Sequence, residues 1–207
     1  MRRNRMLKPG AMYHVTARAN RKEMILYCEA MKALFLATIS RAKKKYRFQV
    51  HNFCIMGNHI HLIIRPGEGE SLSLIMQWIL SVFAMAWNRK HHTTGHVWGE
   101  RFFSKILNSR GEYMKTFRYV TENPVEAQIV GRIDEWEFGG LWHFIRGSQD
   151  ILGELPDSTV YLYRMLLEDC AVAVTISFPR AFYGPGSGSS PESPPTPGVY
   201  DHRCRRR

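Results

Sequence analysis

A chain of 207 residues with 44% apolar side chains, eleven Phe, nine Tyr and five Trp can bury a substantial core, and it is too apolar to be a disordered protein. Its longest apolar run, Ile79 to Trp87, is broken by Ser81 and falls short of the ~20 residues a membrane helix needs. The net charge of +11 permits a polyanionic partner, but four of the basic residues lie within residues 1–10 and five more within 179–207. Charge alone therefore does not separate nucleic-acid binding from solvated termini.

The N-terminus is basic but lacks the apolar segment of a signal peptide, so a soluble, cytoplasmic protein is expected. Cys28, Cys54, Cys170 and Cys204 are scattered with no C-x-x-C pair, which suggests neither a zinc knuckle nor a disulfide framework.

In chain order, residues 11–19 are β-rich and read as a first strand, followed by a polar loop, Asn20-Arg21-Lys22-Glu23. From Glu29 to about Tyr46, Met31, Leu34, Phe35 and Ile39 recur at helical spacing. Residues 48–56 and 59–65 read as two strands joined at Gly57-Asn58. A second helix is predicted from about Ser71 to Lys90, then a loop containing His91, His92 and His96. Residues 97–107 read as a loop entering another strand. Gly111 to about Glu122 reads as a helix stopped by Asn123-Pro124, because proline disfavours helical geometry in the residue before it. Residues 133–145 are aromatic-rich and give no clear period; Ser158 to Cys170 reads as helix. Beyond Pro179 a Pro/Gly/Ser-rich stretch lacks any apolar period and is expected to be a disordered basic tail.

The order β-α-β-β-α-β is that of an α+β, ferredoxin-like (RRM-like) fold, an antiparallel sheet with helices on one face. Side chains two apart on a strand share a face. His59 and His61 would therefore project together from a central strand, while Ile60 and Leu62 anchor the strand in the core. Two imidazoles so placed can grip a divalent cation or a phosphate. On the helix after the last strand, Tyr119 and Asn123 are four apart and share a face; Tyr113 points elsewhere. A positioned tyrosine can act as a nucleophile, and an amide oxygen one turn away can complete a metal site. By residue type alone, each of these side chains could equally be structural.

Together the motifs resemble a known family. Gly57-Asn58-His59-Ile60-His61-Leu62 is similar to the His-hydrophobic-His (HUH) motif of the single-tyrosine transposases of the IS200/IS605 type. Residues 13–21 resemble the first strand and turn of the REP-associated tyrosine transposases. Residues 95–102 resemble their G-x-x-W-x-x-R-[FY] segment, and residues 119–125 their Y-[IV]-x-x-N-P-V signature. The resemblance spans roughly residues 9 to 145 and fades after about Gly147. It suggests a transposase domain over 1–147, a helical extension over 148–178 and a tail over 179–207.

The resemblance implies a metal-dependent endonuclease and strand transferase acting on single-stranded DNA at a hairpin. Its cofactor would be Mg²⁺ or Mn²⁺, and a covalent 5′-phosphotyrosine would form as a 3′-OH is released. By position, Tyr119 becomes the nucleophile, and His59, His61 and Asn123 become the metal ligands. Insertion-sequence enzymes typically have Gln at the last of these positions. DNA contacts would come from Arg18, Asn20, Arg21, Lys22, Trp98 and Arg101, and the protein would act as a monomer or homodimer, the monomer preferred. The alternative from another class is a hairpin-binding protein that does not cut. A further rival, a ferredoxin-like RNA-binding module, would carry aromatics where this strand carries histidines.

Overall fold

The computed structural model describes Lys8 and residues 10–176, with the side chains of 171–176 excepted. The tail expected over 179–207, its Cys204 and the basic residues Arg2, Arg3 and Arg5 lie outside the described residues.

The elements run β1 (Tyr13–Arg18), α1 (Glu29–Lys45), β2 (Phe48–Ile55), β3 (His59–Pro66), α2 (Leu72–His91), β4 (Phe103–Ile106), α3 (Arg110–Glu126), α4 (Gly140–Ile145) and α5 (Asp157–Ile176). The four strands form one sheet in the order β2-β3-β1-β4. β3 is antiparallel to both β1 and β2, so β1 and β2 run parallel to each other with β3 between them. That is the split β-α-β arrangement of the expected ferredoxin-like fold. Among the described residues, no helix is long and apolar enough to cross a membrane.

Alternation divides the sheet into two faces. Val15 and Ala17 of β1 and Ile60, Leu62 and Ile64 of β3 are buried on one of them. They share a core with Phe35 and Ile39 of α1 and Ile75, Ile79 and Phe83 of α2. The other face carries His14, Thr16 and Arg18 of β1 and His59, His61, Ile63 and Arg65 of β3.

This second face has more cover than packing on one side only would give it. A β-bulge between Val50 and Asn52 shifts the register of β2. His51 and Asn52 then both meet helices. Asn52 Nδ2 donates to the Phe117 carbonyl (3.1 Å) and to Thr121 Oγ1 (2.8 Å) of α3. Asn52 Oδ1 accepts from the Phe53 amide and from the Tyr163 hydroxyl of α5. A carboxamide buried this deeply stabilises the fold only when its donors and acceptor are used, and these are. His51 Nδ1 lies 3.0 Å from both Tyr113 Oη and Thr159 Oγ1, which ties β2, α3 and α5 together.

α3 begins at Ser109, whose hydroxyl accepts from the Glu112 amide, and the Glu112 carboxylate in turn accepts from the Asn108 amide. The stop expected at Asn123-Pro124 does not occur: the helix passes through Pro124 to Glu126. Proline there removes one donor within the last turn, where the helix is about to end. The carbonyls of Asn123, Pro124 and Val125 still accept from Ala127, Ile129 and Gln128. Phe117, Val120, Thr121 and Pro124 form a buried stripe that carries the helix past the break.

Gly140, the first residue of α4, packs against the Asn52 network. A Cβ there would lie 2.3 Å from both Asn52 Oδ1 and Tyr163 Oη and 3.2 Å from the Phe53 amide. Gly140→Ala should therefore destabilise the protein by about 1–3 kcal/mol, read from the midpoint of urea unfolding, in line with overpacking of a well-filled interior. An unchanged midpoint would mean that this network yields without cost.

Candidate active site

The site is built where α3 crosses the β3 side of the second face. His61 is buried and His59 half-buried, their ring centroids 5.1 Å apart and nearly perpendicular. The Tyr119 ring stands edge-on to His61 at 5.4 Å and to His14 at 6.2 Å. At 42% exposure its phenol remains open to an incoming molecule. Asn123, one turn further along α3, is buried, and its side chain lies close enough to His59 to act on it electrostatically. Residues sixty positions apart in sequence, His59 and His61 on one element and Tyr119 and Asn123 on another, thus meet on one face of the sheet.

The imidazoles are held in place by neighbours. His59 Nδ1 is 2.7 Å from Asn58 Oδ1, in the turn that precedes β3. His61 Nδ1 is 3.0 Å from His14 Nε2, and the two rings stack at 5.3 Å with only 12° between their planes. His61 Nε2 is buried without a partner. A buried polar nitrogen left alone is costly, and a metal ion is one way of satisfying it. A histidine that binds a metal through one nitrogen usually has the other fixed by a hydrogen bond, and His14 and Asn58 stand in that position beside His61 and His59.

Burial pushes all three histidines down, His14 to about 4 and His61 to about 3. Lys105 adds to the effect at His14, and His59, His14 and Arg18 add to it at His61. His59 is lowered by burial first and by Arg18 second. At neutral pH these rings are uncharged, the form that coordinates metals. Among the described residues no three His, Cys, Asp or Glu side chains converge as a metal cluster. Two imidazoles and one carboxamide make a sparse donor set. It suits an ion that keeps positions free for water or a phosphate oxygen. The residues present therefore fit a catalytic divalent cation.

The remaining sequence-predicted residues fall into two groups. Arg18 ends β1 opposite His59, exposed and on the same face. Arg21 and Lys22 occupy the turn after β1 with positive φ (52° and 59°) and project to solvent. That turn is tied to the loop before His59 by the bond from Asn58 Nδ2 to the Lys22 carbonyl (3.2 Å). The Asn20 amide donates to the Val97 carbonyl, and Arg101 is exposed nearby in sequence to that contact. Trp98 behaves differently. Its indole packs against Phe35 (5.8 Å) and Phe83 (5.6 Å), and Nε1 donates to the Leu80 carbonyl (2.9 Å). It anchors the 97–101 segment to the core.

Tyr113, the other tyrosine of α3, is engaged by His51 and Thr159, and burial pushes its hydroxyl up to about 12. It stands apart from the histidine pair, as its spacing from Tyr119 indicates. His14 was not among the residues singled out from sequence. Its position in alternation with Thr16 and Arg18 places it on the polar face of β1, but only the β1–β3 register reveals that it meets His61.

Comparison with known proteins gives a consistent result. Residues 8–123, more than half of the chain, match the family model described as "Transposase IS200 like". A Haemophilus influenzae chain assigned as a REP-associated tyrosine transposase is 18% identical over 124 residues, covering 55% of this chain and 70% of that one. A solved structure of a REP-associated tyrosine transposase bound to a REP hairpin superposes with a TM-score of 0.62 at 21% identity, covering 76% of this chain and 94% of that one. At that identity the shared property is the fold.

The buried histidines make stability depend on pH. His14, His51 and His61 are held at about 4, 4 and 3, against an ordinary 6.5. As pH falls below 6.5 the unfolded chain takes up protons that the folded one refuses, so stability should drop between about pH 6.5 and 4. Each histidine contributes up to about 1.4 kcal/mol per pH unit, and none contributes above that window. Urea midpoints across the window test this, and His51→Gln should remove one histidine's share of the slope. A flat profile would contradict the burial of these rings.

Proposed function

The chain belongs to the IS200-like transposase family, and from that premise we propose that it cuts and rejoins single-stranded DNA beside a hairpin, with Tyr119 as the nucleophile. One observation carries this reading: the Tyr119 ring stands edge-on to His61 at 5.4 Å, and Asn123, one turn along the same helix, neighbours His59.

His59, His61 and Asn123 would hold a divalent cation, Mg²⁺ or Mn²⁺. When bound, the ion polarises the scissile phosphate and eases departure of the leaving oxygen. The protein's own groups do the rest. Tyr119 Oη attacks phosphorus, the bond from phosphorus to the 3′ oxygen breaks, and that oxygen leaves as a 3′-OH. The 5′ end stays on the tyrosine as a phosphodiester, so attack by another 3′-OH reverses the step without an external energy source. His14 and Asn58 keep the two imidazoles aimed, and burial keeps them neutral.

Arg18, Arg21, Lys22 and Arg101 would bind phosphates of the strand, and Asn20 its bases or sugars. Trp98 would contribute by pinning the segment that carries Arg101. A hairpin-bearing substrate is supported by the structural relative seen with a REP hairpin. The site draws all its proposed groups from one chain, which favours action as a monomer.

Labelled hairpin DNA with unpaired flanks, incubated with protein and Mg²⁺, should yield a covalent protein–DNA adduct on a denaturing gel. Chelation or Tyr119→Phe should abolish it. His59→Ala should reduce cutting by more than the roughly 100-fold typical of losing an outer-shell partner, while hairpin affinity is largely kept. Binding without an adduct under any divalent metal would leave a hairpin-binding protein instead, and an adduct persisting in Tyr119→Phe would move the nucleophile elsewhere.

A further inference from the structure

The row of the sheet that contains His61 continues past the site to the edge strand. Thr16 pairs with His61 on one side and with Phe103 on the other, so His61, Thr16 and Phe103 project from the same face. With strands about 4.8 Å apart, the Phe103 backbone lies about 10 Å from that of His61.

Phe103 is 61% exposed on this face. Its neighbours on β4 follow the ordinary rule: Ile106 is partly buried against the core, and Lys105 is exposed and paired with Glu112 at 3.1 Å. The helices that cover this face are anchored chiefly through β2; α3 also reaches His14 of β1 and Lys105 of β4, through Tyr119 and Glu112, but Phe103 and Arg18 stay exposed. Arg18, two residues from Thr16 on the same face, is exposed and has no carboxylate partner among the described residues. A flat apolar ring, an unpaired guanidinium and the tyrosine–histidine site thus share one continuous surface. A nucleobase stacks on such a ring, and its backbone phosphate satisfies such a cation. A second copy of the chain pairing along β4 is disfavoured by the charged Lys105–Glu112 pair and by a strand of only four residues.

We propose that Phe103 is a stacking platform for one unpaired base of the DNA strand held in the site, with Arg18 binding the backbone between that base and the scissile phosphate. At about 3.4 Å per stacked nucleotide, the base lies within about three nucleotides of the cut. The proposal deepens the reading of the site as a DNA-cutting centre and rests on it.

The test uses the full chain and a hairpin oligonucleotide with unpaired flanks, in which 2-aminopurine replaces one base at a time. A chelator suppresses cutting. One position should show fluorescence quenching on binding, lost in Phe103→Ala and kept in Phe103→Trp. Phe103→Ala should bind the flanked hairpin roughly 10-fold more weakly and the unflanked hairpin as well as the wild type does. No Phe103-dependent position, or an equal loss of affinity for the unflanked hairpin, would overturn the proposal. So would a shift in sedimentation showing that Phe103→Ala splits a dimer. The two readings fail separately: quenching at one base with no adduct in the metal assay sinks the cutting mechanism alone. A full-yield adduct with no Phe103-dependent quenching sinks the stacking platform alone.

Discussion

The alternation of β3 is the constraint from which both core and site follow. Ile60, Leu62 and Ile64 are fully buried on one face, so His59 and His61 have only the other to occupy. A slip of one residue in register would send the imidazoles into the core and expose three aliphatic side chains. The apolar residues thus fix the direction in which the histidines point more firmly than any contact the histidines make themselves. Pairing with β1 and β2 on both sides makes the slip costly along the whole strand.

Getting α3 into place is a separate problem, solved from β2. Asn52 holds the helix at Phe117 and Thr121, the positions two before and two after Tyr119. The bulge at His51 lets two adjacent residues of β2 reach the same pair of helices, and α5 closes the network through Tyr163 and Thr159. Cys28 and Cys54 are buried, and burial pushes the Cys54 thiol up to about 12, out of the reactive range. The polar groups of the second face are therefore of two kinds. The carboxamide of Asn52 is fully used and sets position, whereas His51 Nε2 and His61 Nε2 are each buried without a protein partner, and of these two only His61 lies beside Tyr119.

Much of this was legible in the sequence because it is local. Strand alternation, the Gly57-Asn58 turn, the helical period of α1 and α2 and the i, i+4 relation of Tyr119 and Asn123 are all properties of short windows. What escaped depends on pairing between distant segments. His14 is an ordinary strand residue until the β1–β3 register, which pairs it with Ile63, brings its ring diagonally against His61. Trp98 reads as well for an exposed aromatic as for the half-buried anchor it is, because one tryptophan in a loop has no period. Pro124 marked a stop by local rules, and burial of its helix face carried the chain two residues further. The 133–145 segment gave no period because it resolves into a short turn, a contact with the edge of β2 at Gly139 and the single-turn-and-a-half helix α4.

The proposed convergence of His59, His61, Asn123 and Tyr119 on one cation can be tested directly. Crystals of the protein soaked in Mn²⁺ should show an anomalous scattering peak bounded by His61 Nε2, the free nitrogen of His59 and the Asn123 side chain, within reach of the Tyr119 hydroxyl. A peak at another place on the molecule, with His61 Nε2 still unpartnered, would contradict the site described above.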